Sequence, residues 1–263
     1  MALAAGSVWV ADPSKGQVLR LDPRTRAVEA RIPVGGEARV SAAGGAVWAL
    51  GRARLLRIDP ARDRVVQAIS IPDAVLVLEG RGAVWAASSQ ALWRIDLRRN
   101  AITRTVQTSR DAFMNIAGVS DGRILYIGRG DGRLLRFDAG SGRRLSAARA
   151  PFGQYLGVAG GVVFIGTDSG VSAFDAATGR TLWTRNLRAT QVNNGVVDGT
   201  TVWVQASDRA TRRDRLWRLD ARTGHVTGSL GLPEFGASGL VAVGKQVWTM
   251  SIGGDLQVAL KKG

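Results

Sequence analysis

Seven apolar runs, each with one aromatic residue at its centre, recur along the chain at a nearly constant distance. The aromatic residues are Trp9, Trp48, Trp85, Tyr126, Phe164, Trp203 and Trp248, and they follow one another at 39, 37, 41, 38, 39 and 45 residues. A period near forty is typical of a repeat architecture, in which each repeat buries its apolar face against its neighbours. The repeat therefore constrains the fold strongly. It constrains the function weakly, because one fold hosts many activities.

A second strand-like run follows each aromatic run and usually ends in aspartate, as in residues 18–22 and 92–96. Turn residues come directly after the aspartate, for example Pro23 after Asp22 and Gly179 after Asp175. Aspartate at the first turn position accepts backbone N–H groups, proline presets φ, and glycine supplies the left-handed residue. We therefore interpret these aspartates as turn formers rather than catalysts.

Two further strand types flank this pair. A run of small residues, such as residues 156–159, precedes the aromatic run, and an alternating run, such as residues 180–187, follows the turn. Four strands per ~40 residues predict an all-β fold, a seven-bladed β-propeller of four-stranded antiparallel blades. The small and alternating strands are clear only six times each, so we expect incomplete end blades, with a six-bladed propeller as the alternative. Residues 1–263 then form a single domain, which these end blades suggest is excised from a longer chain.

Three segments resemble the repeats of bacterial quinoprotein-like propellers, the group that includes the YVTN and PQQ-like repeat proteins and, more distantly, the streptogramin lyases. They are residues 6–11 (GSVWVA), 18–23 (VLRLDP) and 175–183 (DAATGRTLW). The resemblance extends over nearly the whole chain, but its motifs specify blade construction and not chemistry. It implies one of several roles that members of the group have: outer-membrane assembly scaffold, sensor ectodomain, substrate-binding module or, in a few cases, enzyme.

The chain offers little material for catalysis or metal binding. It has no cysteine, and its one histidine, His225, follows a turn and is expected on the surface. Nucleophilic catalysis of the Ser-His or Cys-His type and zinc or copper ligation both need these residue types. The resemblance implies that a lyase would need a histidine and a metal-binding glutamate close together, and this sequence has no such local pair. We therefore expect no catalytic residue, no metal and no cofactor. We interpret the adhesion-like tripeptide at residues 129–131 (RGD) as part of a tight turn.

Charge is the next constraint. The chain carries 36 basic and 21 acidic residues, a net charge of +15, and 32 of the basic residues are arginine. The positive electrostatic potential of such a chain favours acidic partners. It is compatible with non-specific, salt-sensitive binding to polyanions. The tryptophans lie at strand centres rather than in loops, so we expect no specific nucleic-acid recognition.

The placement of the arginines also favours structural roles. Five of them recur two residues before the turn aspartate: Arg20, Arg57, Arg94, Arg136 and Arg218. This regularity favours structural pairing over ligand binding. The basic segment at residues 208–215 is the longest insertion between an aromatic strand and its successor, and we expect it to project as a flap.

A ligand of a propeller is expected at the mouth of the channel, on the face that holds the loops between second and third strands and between successive blades. The polar and aromatic residues predicted there suit a polar small molecule or a protein: Glu37, Arg39, Asp73, Arg110, Asn115, Gln154, Tyr155, Gln191, Asn193, Asn194, Glu234, Phe235 and Ser238. We predict a non-catalytic binding, sensor or protein-interaction module. The alternatives are a lyase or glycan-acting enzyme with paired carboxylates among Glu37, Asp73 and Glu234, and a bare scaffold or engineered repeat protein.

The compartment is predicted from the resemblance and from two absences. No apolar run approaches the ~20 residues that a membrane-spanning helix needs, and residues 1–6 lack the basic start and the long apolar stretch of a signal peptide. We therefore expect a segment without a membrane span or signal peptide, extracytoplasmic or at the cell surface in its parent protein.

Overall fold

The computed structural model describes residues 1–36, 39–51, 53–109, 115–189, 191–208, 213–232, 237–251 and 256–260. Within them the chain forms 27 strands in seven antiparallel sheets. Six sheets have four strands, and the seventh, as far as it is described, has three. The fold is the predicted all-β, seven-bladed β-propeller, and the six-bladed alternative is wrong. In each sheet, here called a blade, the strands are paired in the order in which the chain visits them.

The strand bounds show the repeat directly. Blade 1 comprises β1 (Ala2–Ala4), β2 (Ser7–Asp12), β3 (Gln17–Leu21) and β4 (Val28–Pro33); blade 2, β5 (Arg39–Ala43), β6 (Ala46–Gly51), β7 (Arg54–Asp59) and β8 (Arg64–Ser70); blade 3, β9 (Leu76–Gly80), β10 (Ala83–Ala87), β11 (Ala91–Asp96) and β12 (Ala101–Gln107). Blade 4 comprises β13 (Ile116–Ser120), β14 (Ile124–Arg129), β15 (Arg133–Asp138) and β16 (Arg144–Arg149); blade 5, β17 (Tyr155–Ala159), β18 (Val162–Gly166), β19 (Gly170–Asp175) and β20 (Thr181–Asn186). Blade 6 comprises β21 (Gln191–Asp198), β22 (Thr201–Asp208), β23 (Arg213–Asp220) and β24 (Val226–Leu232); blade 7, β25 (Ala237–Val243), β26 (Gln246–Ser251) and β27 (Leu256–Leu260).

The contacts within the chain divide it into two compact units. The first contains residues 1–116, 120–125 and 137–145, and the second contains residues 117–119, 126–136 and 146–263. Blades 1 to 3 belong to the first unit and blades 5 to 7 to the second, while blade 4 contributes residues to both. The inner strand of blade 1, which the sequence did not show clearly, is the three-residue strand β1.

The seven aromatic residues at the strand centres are buried. Trp9, Trp48, Trp85 and Trp248 are fully buried, as are Tyr126 and Phe164, and Trp203 is 7% exposed. Trp9 packs with the second strand of blade 2, and Phe164 packs with apolar residues of blade 6. Burying such side chains away from water is the main driving force for stacking the blades.

The two ends of each blade differ, and we name them by their connections. The turn end holds the turns between first and second and between third and fourth strands, and the loop end holds the other connections. At the turn end the aspartates act as predicted. Asp22 accepts hydrogen bonds from the N–H groups of Arg24 (2.6 Å) and Thr25 (2.7 Å), and these bonds hold the pKa of Asp22 below its ordinary value. Hydrogen bonds within their turns also lower the pKa values of five other aspartates. Backbone N–H groups are the main cause at Asp59 and Asp96, and side-chain hydroxyl groups are the main cause at Asp138, Asp175 and Asp220.

Four of the five repeated arginines bond to the turn of the next blade, and the fifth, Arg218, donates from Nε to Oγ1 of Thr227 in its own blade. Arg57 donates from Nη1 to the carbonyl oxygen of Leu97 (2.9 Å) and to Oδ1 of Asn100 (2.6 Å). Corresponding bonds to turn carbonyls join Arg20 to Pro60, Arg94 to Gly140 and Arg136 to Ala177. The structural role that the sequence predicted is therefore confirmed for these four arginines. Besides turn carbonyls, the acceptors include Asn100, and Arg20 also forms ion pairs with the carboxylates of Glu29 (3.2 Å) and Asp63 (3.1 Å).

A β-bulge helps to aim these side chains. The register between third and fourth strands shifts directly after Arg20, Arg57 and Arg94, and again after Arg218. A bulge turns the strand locally and redirects the side chain beside it. In blade 5 the equivalent position is Ala173, and there the outer strand supplies the contact: Arg185 donates from Nε to the carbonyl oxygen of Gly224 (2.8 Å).

Trp85 departs from the pattern of its relatives. Trp9 and Trp48 donate from Nε1 to carbonyls of their own blades, those of Ala4 and Ala43. Trp85 instead donates to the carbonyl oxygen of Ala139, in the turn of blade 4, at 2.7 Å. Glycine at position 80 permits this, because a Cβ there would lie 2.7 Å from both that oxygen and the indole Cδ1.

Candidate partner-binding groove

Those predicted site residues that the structure describes lie at the loop ends of their blades, and several of them belong to strands rather than loops. Arg39 begins β5, and Gln191, Asn193 and Asn194 lie in β21. The loop assignment of these residues is therefore wrong. In blade 6 the reason is that β21 and β22 form seven residue pairs, from Asp198 with Thr201 to Gln191 with Ser207, which extends the sheet to Gln191. Tyr155 and Ser238 likewise lie in β17 and β25, and their side chains are outside what the structure describes.

The remaining predicted residues divide into two groups. Asp73 lies in a turn with a φ of 55°, and Asn115 and Gln154 are exposed beside the first strands of blades 4 and 5. Glu37, Arg110, Glu234 and Phe235 lie outside the described residues. The convergence of Glu37, Asp73 and Glu234 that an enzyme would need therefore stays a prediction.

A buried polar network supports the loop end of blade 6. Gln205 donates from Nε2 to Oδ2 of Asp214 (2.9 Å), and Thr249 donates from Oγ1 to Oε1 of Gln205 (2.6 Å). All three side chains are at least 98% buried. Nearby, Asn193 donates from Nδ2 to Oγ of Ser207. Hydrogen bonds of this kind in a dry environment fix the positions of β22 and β23 relative to β26.

A groove of about 770 Å³ opens at the loop end between blades 5 and 6. The residues that line it come from the segment after β20 and from β22, β23 and β24: Leu187, Arg188, Ala189, Ala206, Arg213, Asp214, Arg215, Trp217, Gly231 and Leu232. The volume is within the range of about 300–1,000 Å³ that is typical of ligand pockets. The groove lies wholly within the second unit.

One wall of the groove is a basic and aromatic stripe on β23. Arg213, Arg215 and Trp217 alternate along the strand, so their side chains point to the same face. Both arginines are exposed, and the indole is half-buried. Arg215 donates from Nη2 to Oγ of Ser229 (2.8 Å), and its Cζ lies 5.5 Å from the centre of the Trp217 ring. These two contacts hold the guanidinium of Arg215 at the groove.

The opposite wall is the short segment after β20. Arg188 has a φ of 53°, and its N–H donates to Oδ1 of Asn186 at 2.6 Å. This turn buries Leu187 and leaves Arg188 exposed. Among the ion pairs that form between described residues, none includes Arg188, Arg213 or Arg215. The groove thus offers three exposed cations above an apolar floor.

The sequence pointed to this region through its basic residues. The segment at residues 208–215 was expected to project as a flap, and the structure shows that Asp208 pairs with Arg213 across β22 and β23. The projection of the segment stays a prediction. Residues 209–212 are outside the described part. The alternation of Arg213, Arg215 and Trp217 was the signal that could have identified the wall. Arg188 gave no signal, because its placement depends on contacts between blades.

Other candidate motifs have structural explanations. His225 is exposed in a turn, where its N–H donates to Oγ1 of Thr223. In the RGD segment, Arg129 is only 6% exposed and pairs with Asp131 at 3.2 Å, and Gly132 closes a turn as predicted.

Within the described ranges, no group of three His, Cys, Asp or Glu residues could hold a metal ion. No helix of the described chain is long and apolar enough to cross a membrane.

Comparisons with solved structures show the same fold at low identity. Hydrazine synthase of Kuenenia stuttgartiensis has a TM-score of 0.80 and 14% identity, over 98% of this chain and 94% of that one. BamB of Moraxella catarrhalis has a TM-score of 0.67 and 17% identity, over 98% and 83% of the two chains. The computationally designed Ika8 protein has a TM-score of 0.69 and 12% identity, over 98% and 95%. No curated protein matches the sequence significantly.

A family match extends over most of the chain. Residues 82–260 match the PQQ-like repeat family that is described as "Outer membrane protein assembly factor BamB". The matched range includes the aromatic residues of blades 3 to 7 and the whole groove. The seven blades agree with this match, and the chain therefore belongs to that family of PQQ-like β-propellers.

Proposed function

We propose that this chain is a non-catalytic protein-interaction scaffold that holds a partner at the loop end of blades 5 and 6. The observation that carries the proposal is the groove, where Arg188, Arg213 and Arg215 are exposed above the half-buried Trp217. Aromatic and arginine side chains are the types most enriched at the centres of protein interfaces. A groove of this kind is suited to binding a partner protein. Its lining offers no imidazole or thiol group for catalysis.

The family supports an assembly role. Its printed description is that of an outer membrane protein assembly factor, and we extend that role to this chain as part of the proposal. An extracytoplasmic location follows from the same extension. Gln154 and Gln191 lie at the loop ends of blades 5 and 6, and we include them in the proposed contact surface.

Site-specific photo-crosslinking in cells that carry the gene tests this function. A photoreactive side chain is placed at Arg188 or Gln154 at the loop end, and at Arg180 or Arg222 at the turn end as matched controls. All four positions are exposed and all lie in the second unit. The proposal predicts a discrete adduct with a partner protein from the loop-end positions only. Equal adducts from both ends, or adducts from the turn end alone, would contradict it.

A further inference from the structure

We infer that the groove between blades 5 and 6 recognises an extended acidic segment of the partner, with carboxylates at alternate positions and an apolar side chain between them. The inference rests on the proposed function and adds the chemistry of the partner. It is derived from three properties of the groove: its charge, the spacing of its arginines and its apolar floor.

The charge of the groove selects an acidic partner. Arg188, Arg213 and Arg215 are exposed, whereas Asp214, the one carboxylate among the described lining residues, is fully buried and accepts a hydrogen bond from Gln205. Guanidinium groups bind carboxylates with two parallel hydrogen bonds, which gives both attraction and direction. The net charge of +15 adds a general field that draws acidic chains toward the surface.

The spacing of the arginines selects an extended conformation. Arg213 and Arg215 are two residues apart on β23, a separation of about 6.6–6.8 Å along a strand. Side chains at alternate positions of an extended partner repeat at the same distance and point to the same side. Two carboxylates of such a partner can therefore face the two guanidinium groups at once, while Arg188 approaches from the other wall.

The floor of the groove selects an apolar anchor. Leu187, Ala206 and Leu232 are buried there, and the half-buried indole of Trp217 lies beside them. An aromatic or aliphatic side chain that fills such a floor is the usual centre of an interface, with charges around it. The anchor distinguishes the inferred partner from a simple polyanion.

Nucleic acid fits this site less well. Binding of single strands depends on aromatic faces on which bases stack. In this groove the guanidinium of Arg215 lies over the Trp217 ring, with Cζ 5.5 Å from the ring centre. One face of the indole is therefore covered by a cation, which leaves less aromatic surface on which a base could stack.

The test is fluorescence anisotropy with a labelled peptide that has glutamate at every second position and one central phenylalanine. The variant Arg213→Glu/Arg215→Glu reverses two charges of the groove. The control Arg26→Glu/Arg64→Glu reverses two exposed charges in blades 1 and 2 and changes the net charge equally. We expect the groove variant to bind the peptide at least tenfold more weakly and the control less than twofold more weakly. Equal losses in both variants would overturn the inference, because they would show binding to the general field.

Two further probes test the contribution of the apolar anchor and the alternative that the partner is a nucleic acid. A peptide with alanine in place of the phenylalanine should bind several-fold more weakly, and equal binding would overturn the apolar anchor. A labelled single-stranded oligonucleotide of equal charge should bind more weakly than the peptide, and tighter binding that is lost in the groove variant would overturn the choice of partner. Thermal unfolding of each variant checks that it is folded. If the peptide fails to bind while photo-crosslinks from Arg188 persist, the inferred chemistry fails and the scaffold function stands.

Discussion

The two ends of the blades use the same residue types for different purposes. At the turn end, Arg57 is half-buried and bound to the carbonyl of Leu97 and to Asn100 in the next blade. At the loop end, Arg213 and Arg188 are exposed beside a groove. The turn-end contacts recur between several blades, whereas the groove is lined by exposed arginines. The comparison teaches that the repeated arginines stabilise the fold and that the exposed arginines of the groove are the candidates for binding.

The regularity of the turn end has a physical origin. Each blade must hold its neighbour, and a charged donor on a carbonyl contributes about 1.5–3 kcal/mol where it is shielded from water. An aspartate with its turn N–H groups holds the acceptor carbonyls in place. The loop end has no such repeated requirement, so its sequence is free to vary and to carry function.

The largest expected effect is on stability, at Trp85. Its indole is fully buried and donates to the carbonyl oxygen of Ala139. We expect Trp85→Ala to lower the free energy of unfolding by about 3–5 kcal/mol through loss of packing, measured by urea denaturation. Trp85→Phe keeps most of the ring and leaves the carbonyl without this donor, at a cost of about 1–3 kcal/mol. A loss below about 1 kcal/mol in the alanine variant would contradict the packing role.

The second effect compares two arginines of the same strand, β7. Arg57→Ala removes the shielded contact to blade 3 and should cost about 1.5–3 kcal/mol. Arg54 is exposed and donates from Nη2 to the carbonyl oxygen of Val34 at the loop end (3.0 Å). Arg54→Ala should cost about 0.2–1 kcal/mol, because water competes for exposed contacts. Equal losses in the two variants would break the distinction between the two ends.

The third effect is a pH dependence. The pKa of Asp96 is lowered, first by the backbone N–H of Arg99 and then by that of Arg98. A carboxylate whose pKa is lower in the folded state adds stability above its unfolded pKa, and this stability is lost as the pH falls through the folded pKa. Stability should therefore decline below about pH 4, near the unfolded pKa of aspartate. Asp96→Asn cannot ionise and should show a weaker decline in urea titrations between pH 5 and pH 2, and an unchanged decline would contradict this account.

The smallest effect on stability is expected at the groove. Arg188 is exposed and its backbone, rather than its side chain, makes the turn with Asn186. Arg188→Ala should change the free energy of unfolding by less than about 0.5 kcal/mol, while binding of the acidic peptide weakens. Thermal unfolding and anisotropy on the same samples measure both quantities. A large loss of stability would show that the side chain of Arg188 stabilises the fold, which contradicts a role in binding alone.

The sequence predicted the repeated parts of the molecule well. The period of the aromatic residues predicted seven blades, and the aspartates and Gly179 predicted turns that the structure confirms. These features depend on local patterns, which recur and can be compared with one another. The role of Arg57 was also predicted, but not its acceptor, because a contact with Leu97 depends on how blades stack.

The candidate site was less predictable for the same reason. Asn193 and Asn194 were assigned to a loop because their polar character masks the strand that pairing with β22 imposes. The groove itself is lined by Arg188 of the segment after β20 and by Arg215 of β23. Which residues meet there depends on how the two blades stack, and a local sequence pattern does not show it. The predicted loop residues Gln154 and Gln191 remain part of the proposal and are untested.

Hydrogen–deuterium exchange with and without the acidic peptide tests the central claim most directly, since it reads both ends of the blades in one experiment. The account predicts slower exchange on binding at residues 187–189 and 213–217, which line the groove. Exchange at the turns after Asp175 and Asp220 in the same blades should stay unchanged. Protection centred on those turns, or spread evenly over the basic surface, would contradict the assignment of binding to the loop end.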